Sequence, residues 1–265
     1  MVIKATDFEF CGEKLSEKGY IIATIENNST ETITGNNIEI LSNRNPSSIK
    51  DIQYGIKYGD ALEIKLQIFK FNCSTQDTSP ISFVEEETIK RWLVRPTYNY
   101  VNFNNDTDLY FNVAITVNNI TIGNDLVGFD LTMKNDSAFG YSGLRKTTIE
   151  PKEELTNILD NSSLVGRIYP KFTIQITDTN EFQFLNTSTG ERMRINNCTA
   201  NEKITVDCEN KIITTSYTNH QATLAKDFNY VYPTLANDYT SRDNYVRAIH
   251  GEVTLEYRFR RMVSV

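Results

Sequence analysis

The sequence has no long apolar run, and it is poor in histidine. None of its 265 residues lies in a stretch approaching 18 consecutive apolar residues, so we expect no transmembrane helix and no membrane insertion. The first ten residues, MVIKATDFEF, lack a charged segment followed by an apolar one, and we expect no signal peptide. The two histidines, His220 and His250, have no metal-ligand neighbour at helical spacing, which argues against a zinc site on a helix.

The cysteine pattern excludes the common redox and zinc motifs. Cys11, Cys73, Cys198 and Cys208 form no C-x-x-C pair, and the nearest two lie ten residues apart. An even count leaves two disulfides open. Because no export signal accompanies the cysteines, we expect reduced thiols in a protein that is assembled in a cytoplasm.

Charge and apolar content exclude two further classes. With 27 Lys and Arg against 34 Asp and Glu, the formal charge is −7, so the chain has no general attraction to nucleic acid or anionic lipid. Apolar residues make up 39%, which is enough for real cores and excludes a chain that is disordered throughout.

Short runs of alternating apolar and polar residues are the main pattern in the sequence. Such alternation predicts half-buried strands, and its spacing is typical of antiparallel sandwiches rather than βαβ units. The runs lie at 62–68, 111–117, 129–133, 172–176, 204–206, 212–213 and 253–259, separated by turn clusters such as Asn36-Asn37, Thr189-Gly190 and Asn219-His220.

One segment instead predicts a helix over about residues 83–94. Ser82 followed by Glu85 forms a capping-box pattern, and Glu85–Glu87 suit the positive end of the helix dipole. Val84, Thr88 and Trp92 share one face, and Pro96 ends the helix. Lys152–Leu159, after Pro151, is a weaker helical candidate.

A polar, turn-rich stretch near residues 134–153 divides the strands into two sets. We therefore predict a first domain at 1–134, a linker at 135–152 and a second domain at 153–265. The alternative is a single sandwich in which this stretch is one long connection.

The sequence offers weak candidates for catalysis. It has no G-x-S-x-G elbow and no phosphate-binding glycine loop, although a triad built on His220 or His250 stays open because triads assemble in space. A glycosidase needs two carboxylates across a cleft, and the only feature that recommends Glu85–Glu87 and Glu153-Glu154 is that they are acidic. Both groups lie at the start of a predicted helix, where the helix dipole favours acidic residues.

Ligand sites are equally weak. Asn104, Asn105, Asp106 and Asp108 could bind calcium, but they lack the twelve-residue EF-hand loop, and a polar β-turn explains them. Trp92, the only tryptophan, could stack on a sugar, but we expect it to anchor the core. We predict no catalytic residue, no cofactor and no metal.

Two stretches of the second half carry a more specific pattern. GRIYPKFTI at 166–174 enters a strand, and the segment 224–260 holds DFNY at 227–230, YPTL at 232–235 and YRFR at 257–260. In order and spacing these elements resemble the distal tail proteins of long-tailed, siphovirus-type bacteriophages. In the first half, FEF at 8–10, YGD at 58–60 and KRWL at 90–93 resemble the same family. One departure is DSAF at 136–139, which lacks the proline expected after Asp-Ser.

The resemblance implies a mainly β protein with two sandwich domains, the first carrying one helix and the second galectin-like. It implies a non-enzymatic homohexameric ring, a baseplate hub in the virion tail, that joins the tail tube protein to the tail-tip proteins and lets DNA pass its lumen without specific binding. The alternatives are a carbohydrate-binding or adhesin module that contacts host saccharide, and a hydrolase of cell-wall polymer.

Two further expectations concern the ring. The polar segment 36–59 is expected to form a projecting hairpin that reaches a neighbouring subunit, with a solvent loop as the alternative. Six copies at −7 carry a formal charge of 6 × −7 = −42, and any part of it that lines the lumen would repel DNA phosphates.

Overall fold

The chain folds into two compact units that consist almost entirely of antiparallel strands. Unit 1 comprises Met1–Tyr141 with Arg261–Val265, and unit 2 comprises Ser142–Arg260. The computed structural model describes residues 5–26, 38–45, 47, 49–72, 77–104, 106–178, 180–238 and 240–263. The predicted fold class, mainly β with two domains, is confirmed.

Unit 1 is built on one antiparallel sheet and one α-helix. Its strands are β1 (Phe8–Phe10), β2 (Glu13–Lys14), β3 (Tyr20–Glu26), β4 (Ile38–Asn43), β5 (Ile52–Tyr58), β6 (Glu63–Asn72), β7 (Asp77–Thr78), β8 (Asn99–Phe103), β9 (Tyr110–Ile122), β10 (Asp125–Asn135) and β11 (Gly140–Tyr141). A 3-10 turn spans Ser16–Lys18, and helix α1 spans Phe83–Leu93. The sheet order is β2-β1-β8-β9-β10-β6-β3, and β4 and β5 form a separate two-stranded ribbon.

The period-two pattern of the sequence explains the core of unit 1. Leu131 on β10 pairs with Leu66 on β6 and with Val117 on β9. Leu66 and Leu131 are fully buried, whereas the next pair along, Asp130 and Gln67, points to the other face. The predicted strands at 62–68, 111–117 and 129–133 are therefore confirmed.

Helix α1 forms for the local reasons that the sequence predicted. The Ser82 side chain accepts a hydrogen bond from the Glu85 backbone N–H, and the Glu85 carboxylate accepts from the Ser82 N–H, which completes the capping box. Trp92 and its neighbours Ile89 and Leu93 are buried, but Val84 is exposed, so only the later turns of the helix contribute to the core.

Unit 2 is a sandwich of two sheets around one core. Its strands are β12 (Arg145–Ile149), β13 (Thr156–Leu159), β14 (Gly166–Ile168), β15 (Lys171–Ile176), β16 (Asn180–Asn186), β17 (Glu191–Cys198), β18 (Lys203–Asp207), β19 (Ile212–Thr215), β20 (Leu235–Asn237), β21 (Asp243–Ile249) and β22 (Gly251–Tyr257), and helix α2 spans Thr218–Asp227. The last strand, β23 (Arg260–Arg261), lies where the chain passes from unit 2 back to unit 1. The sheet orders are β12-β22-β15-β18-β19 and β13-β21-β16-β17, and β14 pairs with β20. The inward residues of both sheets share one hydrophobic cluster.

The predicted helix at Lys152–Leu159 is wrong. Residues Thr156–Leu159 form strand β13, which pairs with β21. Leu155 and Leu159 are exposed and Ile158 is buried, so the apolar residues do not share the single face that a helix would require.

Helix α2 was not predicted, and its first residues were assigned to a turn at Asn219-His220. Its N-cap residue, Tyr217, makes no side-chain capping hydrogen bond, so the usual start signal is missing. Its buried face consists of His220, Leu224 and Asp227, and two of these three are polar. An apolar periodicity was therefore absent.

The predicted domain limits, 134 and 153, stay a prediction. Strands β11 and β12 lie within the predicted linker 135–152, and the compact units change over between Tyr141 and Ser142.

Candidate functional site

The two histidines lie in different environments, and neither faces a nucleophile. His220 is buried on α2, where its Nδ1 lies 2.6 Å from Oε1 of Glu202 and its Nε2 lies 3.6 Å from Oδ2 of Asp227. His250 is exposed, and its Nδ1 lies 3.6 Å from a carboxylate oxygen of Asp178. Among the described residues, neither imidazole is hydrogen-bonded to a hydroxyl or thiol. The geometry therefore offers no nucleophile activated by a base.

The acidic candidates serve structural contacts. Oε1 of Glu85 lies 2.6 Å from the ammonium of Lys70, and this hydrogen bond, with those from Ser82, lowers the pKa of Glu85 to about 2. Hydrogen bonds from Lys90 and Asn119 lower the pKa of Glu86. Glu153 and Glu154 are exposed in the segment that precedes β13. The structure does not arrange these acids as a pair across a cleft.

The candidate calcium residues form a structured turn. Oδ1 of Asn104 accepts hydrogen bonds from the backbone N–H groups of Thr6 and Asp7, which ties the start of the described chain to β8. Oδ2 of Asp108 lies 2.9 Å from the guanidinium of Arg261. Asn105 lies outside the described residues. Among the residues that the structure describes, no group of three or more His, Cys, Asp or Glu side chains could hold a metal ion.

Three of the four cysteines are described, and all three are free thiols. Cys11 is exposed, whereas Cys198 and Cys208 are buried in unit 2. Burial raises the pKa of Cys198 to about 12 and also raises the pKa of Cys208. Since the thiolate is the reactive form, these two thiols are chemically inert at neutral pH. Cys73 lies outside the described residues.

Trp92 is a core residue, as expected. Its Nε1 donates a hydrogen bond to the carbonyl of Phe10 at 3.2 Å, and its ring stacks on Phe8 with centroids 5.8 Å apart. Because the indole is buried, it offers no surface to a sugar.

An open cavity of about 500 Å³ lies on unit 2, where β21 ends beside the segment that follows β12. It is lined by Pro151, Lys152, Glu153, Thr177, Asp178, Arg247, Ala248, Ile249 and His250. The guanidinium of Arg247 donates to the carbonyl of Glu153 at 3.4 Å, and Lys152 is paired with Glu150. Opposite charges alternate around the cavity, so its lining does not select a ligand of one sign.

The ribbon of β4 (Ile38–Asn43) and β5 (Ile52–Tyr58) exposes several large apolar side chains. Ile40 pairs directly with Ile56, and both are exposed. Ile52 and Tyr54 are also exposed, Tyr54 at 68% of its area. Asn36 and Asn37, which begin the predicted hairpin, lie outside the described residues. The segment therefore forms a β-ribbon on which Ile40, Ile52 and Tyr54 are largely exposed, whereas Tyr58, at its end, packs on Phe139.

In the part of the chain that the structure describes, no helix is both long and apolar enough to cross a bilayer. The two helices are 11 and 10 residues long.

Comparisons with known proteins agree on one family. Residues 3–137 match the profile of a phage tail protein N-terminal domain, and residues 139–257 match that of a phage tail C-terminal domain. The comparison with curated proteins gives no match.

Among solved structures, the chain is similar to the Dit (gp 19.1) protein of phage SPP1, described as a paradigm of the hub adsorption apparatus in phages that infect Gram-positive bacteria. The TM-score is 0.60 over 97% of this chain and 99% of that one, at 12% sequence identity, so the two proteins share a fold. With both family profiles matched in order along nearly its whole length, the chain belongs to the phage tail proteins and is a structural component of the virion tail.

Proposed function

We propose that this protein is a distal tail protein, which forms a homohexameric ring that connects the tail tube protein to the tail-tip and receptor-binding apparatus. DNA passes through the lumen of the ring without specific binding, and the ring is assembled in the host cytoplasm. The β4–β5 ribbon is the observation that carries this proposal.

An isolated two-stranded ribbon is marginally stable in water. This ribbon nevertheless exposes Ile40, Ile52 and Tyr54. A group of large exposed apolar side chains on one short element suits an interaction site. Burying each isoleucine against a partner would contribute about 1.5–3 kcal/mol. We infer that the ribbon is completed by a second copy of the chain.

A second copy also fits the symmetry of the proposed assembly. In a ring, each subunit presents one surface to the next subunit and a different surface to the previous one, and the contact closes by rotation. An arm that leaves its own sheet suits such a head-to-tail contact, because it can dock on a neighbouring sheet edge or face. The ribbon is separate from the main sheet of unit 1, as an arm requires.

The charge of the chain supports free passage of DNA. Six copies at −7 each carry a formal −42, so the assembly as a whole repels the phosphate backbone. The described residues form no catalytic arrangement that would favour an enzyme over a structural protein. The family to which the chain belongs is that of phage tail proteins.

The ring can be tested by removing the apolar face of the ribbon. We expect the wild-type chain, at high concentration, to give particles near six times the 30.4 kDa chain mass in size-exclusion chromatography with light scattering, and rings in negative stain. The double variant Ile40→Ser, Ile56→Ser should stay monomeric while its circular dichroism spectrum is unchanged, because both side chains are exposed.

Ile122→Ser is the matched control. This isoleucine is also exposed in unit 1, at the end of β9, and lies outside the ribbon. The control should assemble like the wild type. A wild-type chain that is monomeric at every concentration, or a double variant that still forms rings, would contradict the proposal.

A further inference from the structure

Tyr230, in the loop after α2, has an unusual backbone conformation. Its φ is +56°, in the left-handed region that bulky side chains rarely adopt. Such a conformation costs about 1–3 kcal/mol and persists only where the surrounding structure enforces it. The aromatic side chain of Tyr230 is nevertheless 62% exposed. The loop therefore holds a strained residue whose ring contributes little to the core.

The contacts of Tyr230 fix the direction of its ring. Its hydroxyl donates a hydrogen bond of 2.7 Å to the carbonyl of Ala225. One side of the ring packs on the buried Phe228, with centroids 5.5 Å apart and planes inclined by 47°. The hydroxyl is engaged and Phe228 covers part of the ring, so most of the 62% that is exposed belongs to the rest of the ring.

Tyr232 extends this aromatic surface. Its ring contacts the same Phe228, with centroids 5.2 Å apart, and its hydroxyl donates 2.9 Å to the carbonyl of Lys211. We call Tyr230 and Tyr232 the tyrosine platform. Both hydroxyls are bound to backbone carbonyls, so the platform offers ring surface of fixed orientation, which a ligand can contact at low entropic cost.

The size of the platform favours a small ligand over a protein. A stable protein interface buries about 800 Å² on each partner. A whole aromatic side chain contributes about 150–250 Å², and Tyr232 is already partly covered by the core. Lys211, Lys226 and Asn229, which neighbour the two tyrosines or their hydrogen-bond partners in sequence, are exposed and polar. With the exposed Ile212 beside Lys211, the surface next to the rings is mixed in polarity.

We propose that the tyrosine platform is a saccharide-binding site, on which a pyranose ring stacks against the exposed face of Tyr230. The face of a phenol ring is negatively polarised and attracts the C–H groups that line one side of a pyranose. The polar and charged rim supplies donors and acceptors for sugar hydroxyls. The site lies in unit 2, and the proposal does not depend on ring formation through the ribbon.

The test uses the full chain and the variant Tyr230→Gly. Glycine adopts a positive φ without strain, so this variant removes the ring while relieving the backbone. We expect its melting temperature to be no lower than that of the wild type. The wild type is screened on a printed array of bacterial surface oligosaccharides, and the best-bound oligosaccharide is titrated by calorimetry. The affinity of Tyr230→Gly for it should fall at least about tenfold.

Tyr245→Ala is the matched control, because Tyr245 is also an exposed tyrosine of unit 2, on β21. It should bind the oligosaccharide like the wild type. The proposal is overturned if the folded wild type binds nothing on the array, or if Tyr230→Gly binds as well as the wild type. It is also overturned if Tyr230→Gly changes only the particle mass in light scattering, since the platform would then be a protein contact.

Discussion

His220 shows how a single buried polar residue can hold an element that has no strong helix signal of its own. Glu202 is fully buried and accepts hydrogen bonds from the imidazole, from the Thr215 hydroxyl and from the Thr199 N–H. Asp227, at the end of α2, faces the other ring nitrogen. The helix is thus fixed to the sheets through polar contacts that water does not compete for.

We predict that His220→Ala destabilises the protein by about 3 kcal/mol. The substitution removes the imidazole from the fully buried Glu202 side chain, and a buried carboxyl oxygen that loses a hydrogen-bond partner is costly. Urea unfolding followed by circular dichroism measures the change. His250→Ala, at the exposed histidine, should change the free energy of unfolding by less than about 1 kcal/mol. Equal effects of the two substitutions would contradict this account.

At the scale of single residues, the sequence could not reveal the tyrosine platform. DFNY at 227–230 and YPTL at 232–235 were recognised only as family-like motifs. The exposure of Tyr230 follows from its positive φ and from its contact with Ala225, and neither leaves a mark on the sequence. An asparagine or glycine at that position would have signalled the left-handed conformation.

At the scale of elements, α1 was predictable and α2 was not. The start of α1 is encoded by neighbours in sequence, Ser82 and Glu85, and its core face by apolar spacing. The buried face of α2 is His220, Leu224 and Asp227, whose partners come from other elements. The strands of both cores followed from alternation, whereas the ribbon was predicted as a hairpin at 36–59 only from the polarity of the segment, because β5 does not alternate between buried and exposed residues.

The capping carboxylate of α1 makes the stability of unit 1 depend on acid pH. The hydrogen bond from Lys70 and those from Ser82 lower the pKa of Glu85 to about 2, against an ordinary value of 4.5. A lowered carboxylate pKa contributes stability above the unfolded-state value, and that contribution is lost as the pH falls from 4.5 towards 2.

We therefore predict that Glu85→Gln loses less thermal stability than the wild type between about pH 5 and about pH 2. These limits follow from the ordinary and the lowered pKa of Glu85. Melting temperatures measured across this range, against Glu87→Gln as the control, provide the test. Glu87 is exposed on the same turn, and it forms no ion pair with any residue that the structure describes. The idea fails if both variants lose stability with acid as steeply as the wild type.

At the scale of the whole molecule, unit 1 is built from two separate parts of the chain. Its core includes Val263, which is buried, and its Asp108 pairs with Arg261. The predicted division at 134 and 153 treated the domains as consecutive. The return of the chain to unit 1 after Arg260 could not be predicted, because the few residues that follow are too short a segment to show a pattern of apolar and polar positions.

We predict that Val263→Ala destabilises unit 1 by about 1–2 kcal/mol, since it removes two buried methyl groups. Differential scanning calorimetry of the full chain should show one component shifted to lower temperature. Met262→Ala serves as the control, because Met262 is exposed. A control that shifts the same component as far as Val263→Ala would rule out a specific role for the valine.

The discontinuity of unit 1 also bears on the order of events during synthesis. A ribosome must translate all of Ser142–Arg260 before Arg261 and Val263 can pack against the rest of unit 1, which precedes Ser142. Because unit 2 ends at Arg260, directly before these residues, both units would be completed only when almost the whole chain has been made. A chain that is truncated before Val263 would lack part of the core of unit 1 and should be less stable than the full-length protein.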